Sequence, residues 1–219
     1  GKLAAGVVHE VNNPLDGIIR FTNMLLAQSD SHTVMHEYLV EVKRGLSRIE
    51  NITKSLLQFS HQVNSNPAKQ SYSNLNQIID DSLAVFSERM NDNIRVNIDL
   101  AAQPVKVLDL GLSHIFVNLF KNAIDAMPDG GTLDIATALS EDKLEIRVGD
   151  TGTGMPSSVV DHIFEPFYTT KSHDKGTGLG LSICKEIVNR YDGTITVESV
   201  LTRGTVFTVS IPSKFTRHV

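Results

Sequence analysis

The strongest constraint on the fold is a run of apolar residues that recur at alternating steps of four and three between residues 3 and 63. This spacing is that of the apolar seam along a coiled-coil helix. A polar stretch at 28–32 interrupts the run, so we predict two helices joined by a turn into an antiparallel hairpin. One hairpin cannot bury both seams, and we therefore predict a homodimer that forms a four-helix bundle. The seam positions are Ala4, Val8, Val11, Leu15, Ile18, Thr22 and Leu25, followed by Leu39, Val42, Leu46, Ile49, Thr53, Leu56, Ser60 and Val63.

A second pattern begins after a polar stretch at 64–71 that contains Pro67 and is typical of a linker. We place the domain boundary there, with a first domain at 1–66 and a second at 67–219. Helical spacing and β-branched alternation then mix, and the strands cluster as hairpins, which predicts an α/β sandwich with a mixed, largely antiparallel sheet and an α+β class for the whole chain. The predicted helices are 75–90, 111–127, 157–163 and 180–191; the predicted strands are 94–99, 132–138, 143–149, 193–199 and 205–211.

Composition limits the classes of protein and partner. Apolar residues make up 41% of the chain and charged residues 21%, which is typical of a globular protein. The net charge of −5 disfavours a nucleic-acid surface, and the single cysteine, Cys184, requires no oxidising compartment. No apolar run approaches the roughly 18 residues of a membrane span. We expect a cytoplasmic chain, and its start in helical periodicity without a cap indicates a fragment of a longer protein.

Two glycine clusters, at 150–156 and 176–182, indicate where a ligand binds. The second cluster runs directly into a predicted helix, whose N-terminus would attract phosphate. Neither cluster has the glycine spacing of a dinucleotide fingerprint, and no Walker lysine motif is present. Taken singly, each cluster is equally consistent with a tight turn. Asp150-Thr-Gly also matches the triplet of aspartic proteases, but the predicted helices disfavour the all-β body which that reading needs.

The predicted helix at 111–127 carries two asparagines on one face. Asn118 and Asn122 are four residues apart, and His114 lies one turn earlier. Asparagine is a mediocre helix former, so a pair on one face of an apolar helix favours a binding role. A neutral amide oxygen can join a Mg²⁺ shell beside nucleotide phosphates.

Taken together, these motifs resemble those of sensor histidine kinases. Asn118-Leu-Phe-Lys-Asn-Ala-Ile-Asp-Ala, Asp150-Thr-Gly-Thr-Gly, Ile163-Phe-Glu-Pro-Phe and Gly176-Thr-Gly-Leu-Gly-Leu stand in the order and spacing of the N, G1, F and G2 boxes, and His9-Glu-Val-Asn-Asn-Pro-Leu resembles the H box. Tyr168-Thr-Thr-Lys resembles the subgroup with a Thr-Thr-Lys signature in its ATP lid. The resemblance implies a Bergerat-type ATP-binding fold of the gyrase, Hsp90 and histidine kinase superfamily.

The resemblance also implies roles for individual residues. His9 would be the phosphoacceptor, Glu10 its acid-base partner, and Asn13 would orient water during dephosphorylation of a partner. Asp150 would accept a hydrogen bond from the adenine amino group, Asn122 would bind Mg²⁺, and residues 164–180 would form a mobile lid over ATP. The implied nucleotide-binding residues are Asn118, Lys121, Asn122, Asp150, Gly152, Gly154, Phe167, Thr169, Thr170, Lys171, Lys175, Gly176, Thr177, Gly178, Leu179, Gly180 and Leu181.

The residue type at position 118 helps to distinguish reactions within the superfamily. The related ATPases carry there a glutamate that activates water, whereas this chain carries an asparagine, which favours transfer to His9 over hydrolysis. We predict phosphorylation of His9 from Mg·ATP, transfer to an aspartate of a response regulator, and a possible phosphatase activity. A nucleotide hydrolase and a kinase-like binding module without catalysis remain alternatives. The expected partners are a second copy of the chain and a receiver domain, with a membrane reached only through a sensor region outside this sequence.

Overall fold

The computed structural model describes residues 2–30, 33–63, 71–90, 93–171 and 176–218, and its helical side chains from Leu15 onward except at 48, 50–52 and 54–63. The chain divides into two compact units. The helical unit comprises residues 1–65 and 167–179, and the sheet unit comprises 66–166 and 180–219. The segment Phe167–Leu179 therefore groups with the helical unit, although it lies within the range that the sequence assigns to the second domain.

The helical unit is the predicted hairpin of two long helices, α1 (Lys2–Gln28) and α2 (Val34–Val63). The turn between them is fixed locally, since Ser29 Oγ lies 2.8 Å from His36 Nδ1. Seam residues divide into two sets. Leu15, Thr22, Leu46 and Thr53 are buried at 4–9% exposure, whereas Ile18, Leu25, Val42 and Ile49 are 45–54% exposed. None of the helices in the described ranges combines the length and hydrophobicity that a membrane span requires.

The sheet unit alternates short helices with strands. Its elements are, in chain order, β1 (Tyr72–Asn74), α3 (Leu75–Ala84), β2 (Ile94–Asp99), β3 (Val105–Leu108), α4 (Leu112–Ala126), β4 (Gly131–Leu139), β5 (Lys143–Asp150), α5 (Ser157–Val160), α6 (Gly180–Arg190), β6 (Thr194–Val200), β7 (Gly204–Pro212), a 3₁₀ turn (Ser213–Phe215) and β8 (Thr216–His218). Five of the strands form a sheet of order β2-β4-β5-β7-β6. The β2–β4 pair is parallel and the other three pairs are antiparallel, which confirms the predicted mixed sheet.

Alternation along the central strands supplies one apolar face of the sheet. Buried residues recur at every second position in the middle of β4, β5 and β7, as the period of two requires for a sheet covered on one face. Helices α3, α4 and α6 contribute further core residues, and α4 contributes most, since seven of its fifteen residues are buried. The buried α4 residues are Leu112, Ile115, Phe116, Leu119, Phe120, Ala123 and Ile124.

Two features of the sheet unit differ from the sequence prediction. A second sheet of order β1-β3-β8 was not predicted, because its strands of three or four residues are too short to display alternation. Two helices are shorter than predicted: α3 ends at Ala84 rather than at residue 90, and α5 ends at Val160 rather than at residue 163. After α3 the chain forms turns in which Phe86 N–H donates to Leu83 O and Ser87 N–H donates to Ala84 O.

Tyr191, directly after α6, ties that helix to the segment before α4. Its side chain is fully buried, its hydroxyl donates to Leu108 O, and the same oxygen accepts from Leu110 N–H, both at 2.7 Å. Tyr191→Phe leaves the buried N–H of Leu110 and the half-buried carbonyl of Leu108 without this partner, so we expect the free energy of unfolding to fall by about 1–3 kcal/mol. Urea denaturation measures it, with Tyr72→Phe on the half-buried β1 as the control. Equal stability of the two variants would contradict the expectation.

Candidate functional site

Helix α4 carries the paired asparagines and lies beside the start of α6. Asn118 is half-buried, and its Nδ2 donates to His114 O at 3.0 Å, which fixes the direction of the amide. A Cβ atom placed on Gly180, the first residue of α6, would lie 2.7 Å from Asn118 Oδ1. The glycine therefore allows the N-terminus of α6 to approach Asn118. Asn122 follows one turn later and is half-buried, and Lys121 between them is exposed.

Asp150 ends β5 and begins the first glycine-rich segment, which we call the 150–155 loop. Its carboxylate Oδ1 accepts from Gly152 N–H at 2.9 Å, and the carboxylate also accepts from the backbone N–H of Thr205. Burial raises the pKa of this carboxyl above the usual range for aspartate, and the two hydrogen bonds from N–H groups oppose that shift. Two of roughly four lone-pair sites on the carboxylate are thus used within the protein.

The end of α4 supports the 150–155 loop on one side. Thr153 N–H donates to Ala126 O at 3.0 Å, and a Cβ on Gly152 would lie 2.5 Å from the same carbonyl oxygen. Only glycine permits this approach of one backbone to the other. Helix α4 therefore contacts the start of α6 through Asn118 and the 150–155 loop through its last residue, which brings three of the predicted motifs together in the sheet unit.

The turn between β6 and β7, residues 200–204, supports the loop on another side. Thr202 N–H donates to Thr153 O at 2.7 Å, and a Cβ on Gly204 would lie 1.9 Å from Asp150 O. Gly204 also has a φ of 111°, a conformation that favours glycine. The sequence predicts the hairpin that this turn closes. It does not predict the contact of the turn with the loop, because no periodicity or motif links the turn to residues fifty positions earlier.

The segment Phe167–Leu179 carries the predicted lid residues and is described as part of the helical unit. Phe167 N–H donates to Gly178 O at 2.9 Å, and both residues are left-handed, with φ of 67° and 69°. Thr169 Oγ1 accepts from Lys171 N–H at 3.1 Å, and a Cβ on Gly176 would lie 2.6 Å from that hydroxyl. Thr170 is exposed, and Thr177 Oγ1 accepts from Leu179 N–H at 3.4 Å. Lys175 lies outside the described residues.

The proposed phosphoacceptor residues lie on α1. His9, Glu10 and Asn13 are in its helical backbone, and their side chains lie outside the described set.

The remaining candidates lie in the sheet unit. Gly180 and Leu181 are the first two residues of α6, and Gly154 lies in the 150–155 loop with a φ of 62°. Cys184 is fully buried in α6, and burial raises the pKa of its thiol to about 12. Within the described residues, no cluster of three or more histidine, cysteine, aspartate or glutamate side chains is arranged to hold a metal.

Comparison with known proteins identifies both parts of the chain. Residues 1–64 match the His Kinase A phospho-acceptor domain, and residues 108–214 match the ATPase domain described as histidine kinase-, DNA gyrase B- and HSP90-like. Over 217 residues, 98% of its length, the chain is 37% identical to Sporulation kinase A of Bacillus subtilis. The chain belongs to the sensor histidine kinases. It spans 35% of the length of Sporulation kinase A, so it corresponds to the kinase core of a longer relative.

Solved structures of other histidine kinases agree with this assignment. The catalytic domain of histidine kinase ThkA is 31% identical and superposes with a TM-score of 0.57, over 66% of this chain and 95% of that one. ThkA in complex with the response regulator protein TrrA matches at 28% identity and a TM-score of 0.62, over 97% of this chain and 61% of that one. The predicted α+β fold, a helical hairpin followed by a mixed sheet, is therefore confirmed.

Proposed function

We propose that this chain transfers the γ-phosphoryl group of ATP to His9 and then to an aspartate of a response regulator. In this proposal residues 1–66 dimerise and carry His9, and residues 67–219 bind ATP. The observation that carries it is the placement of Asp150, whose carboxylate is oriented by two backbone N–H groups at the head of a glycine-rich loop. The family assignment supports the same reaction.

Asp150 is suited to select adenine among the nucleotide bases. Its carboxylate has lone pairs beyond the two engaged by Gly152 and Thr205, and it has no proton to donate when it is ionised. Adenine offers an exocyclic amino group as a donor, whereas guanine offers a carbonyl at the equivalent position. Gly152 and Gly154 let the loop pack closely against the backbone of Ala126 and Val200, which supports the loop beside the Asp150 carboxylate.

The phosphates and a Mg²⁺ ion would bind where α4 meets the start of α6. The eleven-residue helix α6 begins at Gly180, and its first N–H groups form an anion site of the kind found at helix N-termini. Mg²⁺ commonly binds one or two protein oxygens together with phosphates and waters, and the amide oxygen of Asn122 fits that donor set. When bound, the ion neutralises charge that develops on the transferring phosphate. Lys121, which is exposed on α4, would add positive charge there. A role for Lys171 is implied only by the resemblance of its segment to a Thr-Thr-Lys lid.

His9 would act as the nucleophile through a neutral imidazole. Nε2 forms a bond to the γ-phosphorus as the bond between that phosphorus and the β,γ-bridging oxygen breaks, and ADP leaves. Glu10 would take the proton from Nδ1, which keeps the attacking nitrogen nucleophilic. Asn13 would serve the reverse reaction, in which water removes the phosphoryl group from the regulator.

A homodimer follows from the two sets of seam residues. The hairpin buries Leu15 and Leu46, yet Ile18 and Val42 of the same seams are about half exposed. Apolar rows of this kind are buried in stable bundles, and an identical hairpin supplies the complementary row. The proposal therefore includes a homodimer, and it also places the chain in the cytoplasm.

The test is incubation of the chain with ATP labelled at the γ-phosphate. The proposal expects a labelled chain whose phosphate is lost in acid and kept in alkali, as for phosphohistidine. Addition of a receiver domain should then move the label to that domain. Nucleotide binding without any label would favour the binding module, and steady phosphate release without a labelled chain would favour the hydrolase.

Asn118→Glu tests why the chain would phosphorylate a histidine rather than hydrolyse ATP. A glutamate one turn before Asn122 supplies a general base for water, and general bases typically contribute 10²–10⁴-fold. We expect phosphate release to rise by about tenfold or more, while the yield of labelled chain falls. Asn118→Gln is the control and should show no such rise, because glutamine has the length of glutamate but carries a neutral amide. Equal release by the two variants would contradict the role assigned to this position.

A further inference from the structure

We propose that Ser199 is a positioning residue that holds the 150–155 loop in the shape that binds the nucleotide base. The inference rests on the proposed binding of ATP and extends it to a strand outside the predicted motifs. Ser199 lies near the end of β6, next to the β6–β7 turn. Its hydroxyl oxygen accepts from Met155 N–H, at the end of the loop, at 2.8 Å.

The hydroxyl of Ser199 has three hydrogen-bond partners, which is as many as a hydroxyl can have. Besides accepting from Met155, it donates to Gly204 O at 3.1 Å, and it lies 2.9 Å from Thr205 Oγ1. A hydroxyl offers one proton and two lone pairs, so all three are engaged when Thr205 donates to it. A group with three partners in one geometry has a fixed position and fixes the groups that it contacts.

The same network leads to Asp150. Thr205 is 5% exposed, pairs with Asp150 in the β5–β7 ladder, and donates its backbone N–H to the Asp150 carboxylate. Ser199 therefore joins the two ends of the loop: the end at Asp150 through Thr205, and the end at Met155 directly. The middle of the loop is joined to the same turn, because Thr202 N–H donates to Thr153 O.

Loss of this hydroxyl is expected to affect the loop more than the fold. Residues 151–155 belong to no helix or strand, so their backbone depends on such outside partners. The ladder between β5 and β7 includes Asp150 and Thr205 and does not require the Ser199 side chain. Without the hydroxyl, Met155 N–H loses its partner, and the loop gains conformations that do not present Asp150 and the glycine backbone to a base together.

The experiment compares Ser199→Ala with Ser210→Ala, the same change on β7 at the far end of the ladder, where Ser210 pairs with Glu145. Titration with Mg·ATP is expected to give a Kd about tenfold higher for Ser199→Ala and an unchanged Kd for Ser210→Ala. Inorganic tripolyphosphate lacks a nucleotide base. Its affinity, measured by competition, should be the same for Ser199→Ala and for the unaltered chain. A purely structural defect would weaken both ligands.

A second pair of variants isolates the hydroxyl. Ser199→Thr keeps it and Ser199→Val removes it, and both side chains are β-branched and suited to a strand. The threonine variant should bind ATP within about threefold of the unaltered chain, and the valine variant about tenfold more weakly. Equal affinities for this pair, or equal losses for ATP and tripolyphosphate, would overturn the role of Ser199. Failure of the unaltered chain to bind ATP would instead overturn the proposed function on which it rests.

Discussion

Replacing His9 by glutamine is expected to abolish incorporation of the γ-phosphate of ATP into the chain. The lone pair of an amide nitrogen is delocalised, so glutamine offers no nucleophile at neutral pH, whereas a neutral imidazole does. Removing a nucleophile typically costs more than about 10³-fold in rate, and the label should fall to background. ATP affinity should stay within about twofold, because the groups that we propose to recognise the base lie in the sheet unit and His9 lies on α1.

His36→Gln is the matched control within the same hairpin. Its side chain bonds to Ser29 at the turn, and a glutamine amide can keep that hydrogen bond. The control should incorporate label at the rate of the unaltered chain. Retention of an acid-labile label in His9→Gln would refute His9 as the acceptor, and loss of label in both variants would indicate damage to the hairpin instead.

The elements that carry the motifs could be predicted from the sequence because their signals are local. Asp150 ends an alternating strand, Asn118 and Asn122 share a face of an apolar helix, and the second glycine cluster leads directly into α6 at Gly180. The periods of strands and helices can be recognised from residues that are close together in the sequence, so these elements can be predicted from local patterns.

The parts that were missed depend on pairs of residues far apart in the chain. The short strand β1 exists only because Tyr72 pairs with Leu108, and β3 in turn pairs with β8, where Val105 lies opposite His218. The contact of Ser199 with Met155 is of the same kind. Neither end of such a contact has a composition that identifies its partner, so tertiary packing determines it and single-sequence patterns do not.

Replacing Asp150 by asparagine is expected to remove most ATP binding while leaving the sheet unit folded. An asparagine has one carbonyl oxygen, which must serve either the backbone N–H groups of Gly152 and Thr205 or the adenine amino group. A charge-assisted hydrogen bond contributes about 1.5–3 kcal/mol, so the Kd for ATP should rise about 10- to 150-fold. Asp134→Asn, an exposed aspartate on the neighbouring strand β4, is the control and should bind ATP normally.

The raised pKa of Asp150 gives this prediction a pH dependence with a definite sign. Because burial raises the pKa in the folded chain, the protonated carboxyl is favoured there, and its contribution to stability is present at low pH and lost as the pH rises through the folded value. The ionised carboxylate of Asp150 therefore lowers the stability of the folded chain at neutral pH. For this reason Asp150→Asn should not lower the midpoint of urea unfolding by more than the control variant Asp134→Asn does. ATP affinity should fall on acidification at a pH above that at which an ordinary aspartate titrates, and this fall should be absent in Asp150→Asn. An identical pH profile in the variant and the unaltered chain would show that another group controls binding.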